Sequence, residues 1–179
     1  MTALRNTVRL IDRFTDGSGR LLAWLCVIMA LVSCLVVLLR YGFEFGSIAM
    51  QESVTYMHAT VFMLGAAYTL KRGGHVRVDI FYRRLSRRDC AWVNSVGAVV
   101  FLLPFCLFLL GISWRFVSES WAVREGSPDP GGIHAVFLLK SLIPLLALNL
   151  FLQGLAELLR NLLFLVEDSE SYSMSDEAG

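Results

Sequence analysis

The stretch LLAWLCVIMALVSCLVVLL, Leu21 to Leu39, runs nineteen residues without a charged side chain. At about 1.5 Å per residue it makes about 28 Å of apolar helix, enough to cross a bilayer. Three further stretches behave alike: Ile48 to Leu70, Ala91 to Trp114 and Ala135 to Leu155. In a chain of 179 residues these leave no room for a sizeable soluble domain, so the work done here is membrane work. The expected fold is an all-α membrane protein with four transmembrane helices at about 21–39, 48–70, 91–114 and 135–155. They form one domain over 21–160.

The net charge of +1 hides a strong asymmetry. Arg5, Arg9, Arg13 and Arg20 precede the first span, and Lys71, Arg72, Arg77, Arg83, Arg84, Arg87 and Arg88 lie between the second and third. The other two loops hold only Arg40, Arg115 and Arg124. The positive-inside bias therefore puts both termini and the second loop in the cytoplasm. The first span follows a basic start but is long and lacks a small-residue cleavage pattern, so it reads as a retained anchor.

Over residues 1–20, Leu4, Val8 and Ile11 take one side of a helical wheel and Arg5, Arg9 and Arg13 the other. This pattern predicts an amphipathic basic segment lying on the inner leaflet against anionic lipid. The loop from Lys71 to Cys90 mixes apolar and basic residues and predicts a second interfacial segment. Lipid headgroups explain that basic loop better than nucleic acid does, because it adjoins a membrane and offers few aromatics for base stacking. Residues 161–179 turn acidic and serine-rich and are expected to be a disordered tail.

The second span is unusually polar. Gln51, Thr55, His58, Gly65 and Thr69 fall on one stripe, and Asn149, Gln153 and Glu157 recur every four residues in the fourth span. Both lines predict faces that pack on protein, the glycine allowing close approach. Glu52 and Lys140 lie about one turn inside the outer ends of their spans. A lone charge in hydrocarbon costs about 2.5 to 3.5 kcal/mol at mid-bilayer, so these two are expected to form an ion pair. Pro104 predicts a kink in the third span.

Catalytic chemistry is hard to find. His58, His75 and His134 lie at three different depths, which argues against bis-histidine haem ligation. There is no phosphate loop, nucleophile elbow or metal spacing among Cys26, Cys34, Cys90 and Cys106. No enzyme activity, cofactor, metal or substrate site is expected. The residues alone leave a membrane anchor of a respiratory enzyme and a small self-sufficient exporter as alternatives.

Gln51-Glu52-Ser53, then Leu64 to Leu70, then Gly74-His75-Val76-Arg77-Val78-Asp79 follow one another in an order that resembles a known family. Ser120-Trp121, Glu125-Gly126-Ser127, Gly131-Gly132, Lys140-Ser141 and Leu152-Gln153-Gly154 continue the pattern. Together they resemble the small membrane subunit of tripartite ATP-independent periplasmic (TRAP) transporters, the DctQ-like family, over about Arg13 to Arg160. The resemblance implies a bacterial inner-membrane protein without catalytic function. It would support a large permease subunit that imports a solute, usually an organic acid, with sodium. A periplasmic binding protein would deliver that solute. Gly74, His75, Arg77 and Asp79 carry the family motif in the inner loop. Glu119, Arg124, Glu125 and Asp129, around the turn at Gly131 and Gly132, are the expected rim for the binding protein.

Overall fold

The computed structural model describes residues 2–75, 82 and 85–176, and among these all regular structure is helical. Helix α1 spans Thr2–Gly42 and α2 spans Ile48–Lys71. Helix α3 (Arg87–Gly97) passes through a π-helical turn at Ala98–Leu102 into α4 (Leu103–Ala122), and α5 spans Val136–Asp176. Helix α5 is the hub: α2, α3, α4 and α1 all pack on it, and α1 also packs along α2.

Three helical segments are long and apolar enough to cross a membrane: Leu4–Gly42, Arg87–Ala122 and Val136–Glu167. Helix α2 is as long as a span needs to be, but Gln51, Glu52 and His58 dilute its apolar character. The core is built from small side chains, with Ala67, Ala91, Ser95, Ala98, Cys106, Ser113, Ala147 and Ala156 buried. Large ones such as Leu31, Phe101, Phe105 and Phe108 face outward. Lipid removes the penalty for exposing them, so helices here approach through small residues rather than through a greasy interior.

Two boundaries differ from the sequence reading. Residues 2–20 do not form a separate element; they are the first half of a 41-residue helix continuous with the first span. At about 62 Å that helix is twice the thickness of the hydrocarbon core, about 30 Å. Its inner half stands along the bundle, because Val8, Thr15 and Leu22, each seven residues apart, are buried on one side. Helix α5 likewise continues through 161–176, where a disordered tail was expected, with Leu165 buried in its extension.

The kink expected at Pro104 takes the form of the π turn. Proline has no N–H, and its ring crowds the carbonyl four residues back, so the helix widens immediately before it. The Leu103 N–H reaches the Ala98 carbonyl, five residues back. This turn seats on Gly154 of α5, where a Cβ would lie 2.6 Å from Leu102 Cδ2. Pro144, inside α5, similarly leaves the Lys140 carbonyl without its helical partner.

At the end of the bundle nearer the N-terminus, termed inner as the opposite end is termed outer, Gln153 is fully buried and accepts a 2.8 Å hydrogen bond from Thr15 Oγ1. Gln153→Ala would remove that acceptor and leave a cavity, and is expected to destabilise by about 2–4 kcal/mol. Thr15→Val should cost less. Thermal unfolding in detergent measures both, and a Gln153→Ala protein as stable as the parent would show that the contact is not structural.

Candidate functional site

The polar residues gather at the two ends of the bundle. At the outer end, Ser47 caps α2 by accepting from the Met50 N–H at 3.4 Å, and Glu52 follows one turn in. Residues 123–135, joining α4 to α5, fold over that carboxylate. Glu52 Oε2 accepts from the Ile133 N–H at 2.6 Å, and Oε1 accepts from the Ser127 hydroxyl. The same Ser127 oxygen accepts from the Asp129 N–H at 3.1 Å. Ser127 N–H in turn donates to the Ile133 carbonyl at 3.1 Å, and Gly132 N–H to Asp129 at 3.0 Å.

Glycines make this fold-over possible. Gly131 adopts a φ of +81°, which side chains resist. A Cβ on Gly132 would lie 2.7 Å from Glu52 Oε1. One on Gly126 would lie 2.6 Å from His134 Nδ1. Gly126 is thus explained by the approach of an imidazole, Gly132 by that of the Ser127 side chain and the Glu52 carboxylate, and Gly131 by its backbone conformation.

The expected Glu52–Lys140 pair does not form. Lys140 Nζ donates to Glu125 and sits 4.1 Å from the centroid of the Phe116 ring. Lys140 beside it holds the Glu125 carboxyl below its ordinary range. The loop joining α4 to α5 reaches both charges before they reach each other. Trp121 strengthens this end by donating to Ser141 Oγ at 2.8 Å while packing edge-on to Phe137 at 4.7 Å.

A second cluster ties α1, α2 and α5 at the inner end. Lys71 Nζ lies 2.7 Å from Asp16 and donates to the Asp12 carbonyl at 2.8 Å. Arg160 Nη2 reaches both Asp12 carboxylate oxygens, at 2.9 and 3.1 Å, and its Nη1 reaches Glu157 at 2.7 Å. Arg5 pairs with Glu167 further along the same two helices. Nearby, a Cβ on Gly19 would overlap the Tyr68 ring. The sequence reading missed this cluster. Its signal was present in Asp12 and Asp16, two acids one turn apart on the side of a basic segment that also carries Val8 and Thr15.

The expected packing face divides. Gln51, Thr55 and His58 are exposed, while Gly65 and Thr69 are half-buried, Gly65 beside Leu22 of α1. The line on α5 is internal: Gln153 meets Thr15, and Glu157 meets Arg160, which bonds Asp12. Asn149 is half-buried. Gly73 and Gly74 close α2, the Gly73 N–H donating to Leu70 and the Gly74 N–H to Thr69, with Gly73 at φ +64°. That is the glycine-dependent helix stop. His75 follows; Arg77 and Asp79 lie outside the described residues. On the outer loop, Glu119 pairs with Arg115 at 2.7 Å, Arg124 and Asp129 are exposed, and Arg124 takes a φ of +47°. Among the described residues no cluster of three or more His, Cys, Asp or Glu side chains could hold a metal ion.

Two couplings follow from the outer clasp. In double-mutant cycles, Glu125→Gln with Lys140→Met should depart from additivity by at least about 0.5 kcal/mol, as contacting charges do. Glu52→Gln with Lys140→Met should stay closer to additive. Gly132→Ala should free the loop and raise its proteolytic cleavage; an uncleaved Gly132→Ala loop would contradict the Glu52 contact.

The family model described as tripartite ATP-independent periplasmic transporters, DctQ component, matches residues 29–164. The match takes in the outer clasp and most of the bundle. The C4-dicarboxylate TRAP transporter small permease protein DctQ of Vibrio cholerae is 28% identical over 126 residues, covering 67% of this chain and 54% of that protein. This chain thus spans about half the length of that relative. No solved structure matches it. With about three quarters of its length matched, the chain belongs to the DctQ family of TRAP transporter components, as a multi-pass inner-membrane protein.

Proposed function

We propose that this chain is the accessory membrane subunit of a sodium-driven importer, a fixed frame for a large permease subunit that receives its solute from a periplasmic binding protein. The observation that carries this reading is the use of its polar side chains. Glu52, Ser127, Glu125 and Lys140 tie a loop to two helices outside, and Asp12, Asp16, Lys71 and Arg160 tie three helices inside. Groups engaged in this way rigidify a scaffold rather than handle cargo. Alternating access needs such a part, because one element must move against another that does not. The name of the Vibrio cholerae relative favours a small organic acid as the cargo.

Helix α2 serves as the fourth span. At 24 residues, about 36 Å, it exceeds the hydrocarbon thickness; Glu52 is met by loop 123–135, while Gln51, Thr55 and His58 stay exposed. Both termini lie in the cytoplasm on the weight of basic residues there. The loop 123–135 then stands in the periplasm, where Glu119, Arg124, Glu125 and Asp129 rim the surface offered to the binding protein. Family membership disfavours the respiratory-anchor and lone-exporter alternatives.

Topology is tested by cysteine labelling. Asp129→Cys should react with an impermeant thiol reagent in intact spheroplasts and Ser86→Cys should not; the reverse would invert the protein. Function is tested by reconstitution. Uptake into proteoliposomes should require this chain, the large subunit, the binding protein and an inward sodium gradient together. Full-rate uptake without this chain would refute the essential-frame reading.

A further inference from the structure

Every residue of α2 is described, and five of them are exposed: Ile48, Gln51, Thr55, His58 and Phe62. Their spacing is three, four, three, four. That is the seam by which one helix takes another at a shallow left-handed crossing, near +20°. The seam runs on through Gly65 and Thr69 at the same spacing, and there it is covered, with Gly65 beside Leu22 of α1. About 21 Å of the seam, from Ile48 to Phe62, stays open, while the last turns of α1 at Val36, Leu39 and Arg40 lie at its edge beside Met50 and Gln51.

The chemistry of the open part is unsuited to lipid. The side chains of Gln51, Thr55 and His58 make no hydrogen bond within the described residues; His58 only stacks on Phe62, at 6.5 Å. Elsewhere the chain faces lipid with leucine, valine and phenylalanine, as at Leu31, Val37, Phe105 and Phe108. Polar groups left unsatisfied in hydrocarbon are costly, and at seam positions they select partner and register.

On the reading that this chain is the accessory subunit, we infer that the outer half of the α2 seam receives one transmembrane helix of the large permease subunit. That helix presents hydrogen-bonding side chains at the depths of Gln51, Thr55 and His58, with Phe62 as the apolar anchor at the inner limit. The seam positions of a single helix thus serve an internal neighbour at Gly65 and an external one from Ile48 to Phe62. Gly65, Thr69, Asn149 and Gln153 have no part in this interface.

The test is photo-crosslinking in membranes that co-express both subunits. p-Benzoylphenylalanine replaces Gln51, Thr55, His58 or Phe62 in turn and, for comparison, Phe101, Phe105 or Phe108 on the exposed face of α3–α4. Crosslinks to the large subunit are expected from the α2 positions and not from the comparison positions. A Gln51→Leu, Thr55→Val, His58→Leu triple variant should co-purify with about tenfold less large subunit or lower still, while retaining the parent's thermal unfolding. Crosslinks at α2 to another copy of this chain, or to the large subunit only from the comparison face, would overturn the inference and leave the accessory reading standing. Failure of the parent chains to co-purify at all would overturn both.

Discussion

A carboxylate that enters a membrane helix has to be met by donors, and most of the outer architecture follows from how Glu52 is met. Its two oxygens take a hydroxyl and a backbone N–H from one loop, so the loop is drawn down over the end of α2. Drawing it down brings Gly132 against both the Ser127 side chain and the carboxylate it holds, where a Cβ would overlap Ser127 Oγ and lie 2.7 Å from Glu52 Oε1, which leaves only glycine at position 132. The loop then carries Glu125 to Lys140 and frees the first turns of α5 from any need for a charge partner on α2. One ionised group thereby fixes a helix end and the course of a connecting loop. It also fixes the identity of a residue eighty positions away.

The two clasps matter more here than ion pairs do in a soluble protein. The bundle has few large buried side chains, since lipid accommodates leucine and phenylalanine as readily as a protein interior would. Small-residue contacts permit close approach without fixing how far one helix slides along its neighbour. Polar ties at both ends supply that register: Asp12 and Asp16 hold α1 against Lys71 and Arg160 inside, while loop 123–135 holds α2 against α5 outside. Between them lie Gly19 under Tyr68 and Gly154 under Leu102, each a place where a methyl group would push helices apart.

Much of the fold was legible because apolar runs, basic flanks and proline report on local physics. Leu21–Leu39 reads as a span from its own composition, and the π turn falls where Pro104 predicts disturbance. The failures were of pairing. Periodicity says that Gln51 and Gln153 lie on polar stripes, but not whether a stripe faces another part of the same chain. Arg9 and Asp12 read alike as surface charges, yet Asp12 turns inward to Arg160. Helix 1–20 looked interfacial because its arginines were counted and its two acids were not. Glu52 and Lys140 shared a depth, and depth alone cannot see a loop that reaches both.

The divided stripe on α2 shows what a three-four spacing conveys in a membrane. The same repeat from Ile48 to Thr69 carries glycine and a self-bonded threonine where α1 covers it, Thr69 Oγ1 bonding the Gly65 carbonyl at 3.0 Å. From Gln51 to His58 it carries glutamine, threonine and histidine, exposed and without side-chain hydrogen bonds among the described residues. Close approach demands small, satisfied groups; recognition by a separate chain demands groups still able to bond. The change of residue type along one seam is the one expected if the chain's own packing takes Gly65 and Thr69 and a partner helix takes the part from Ile48 to Phe62.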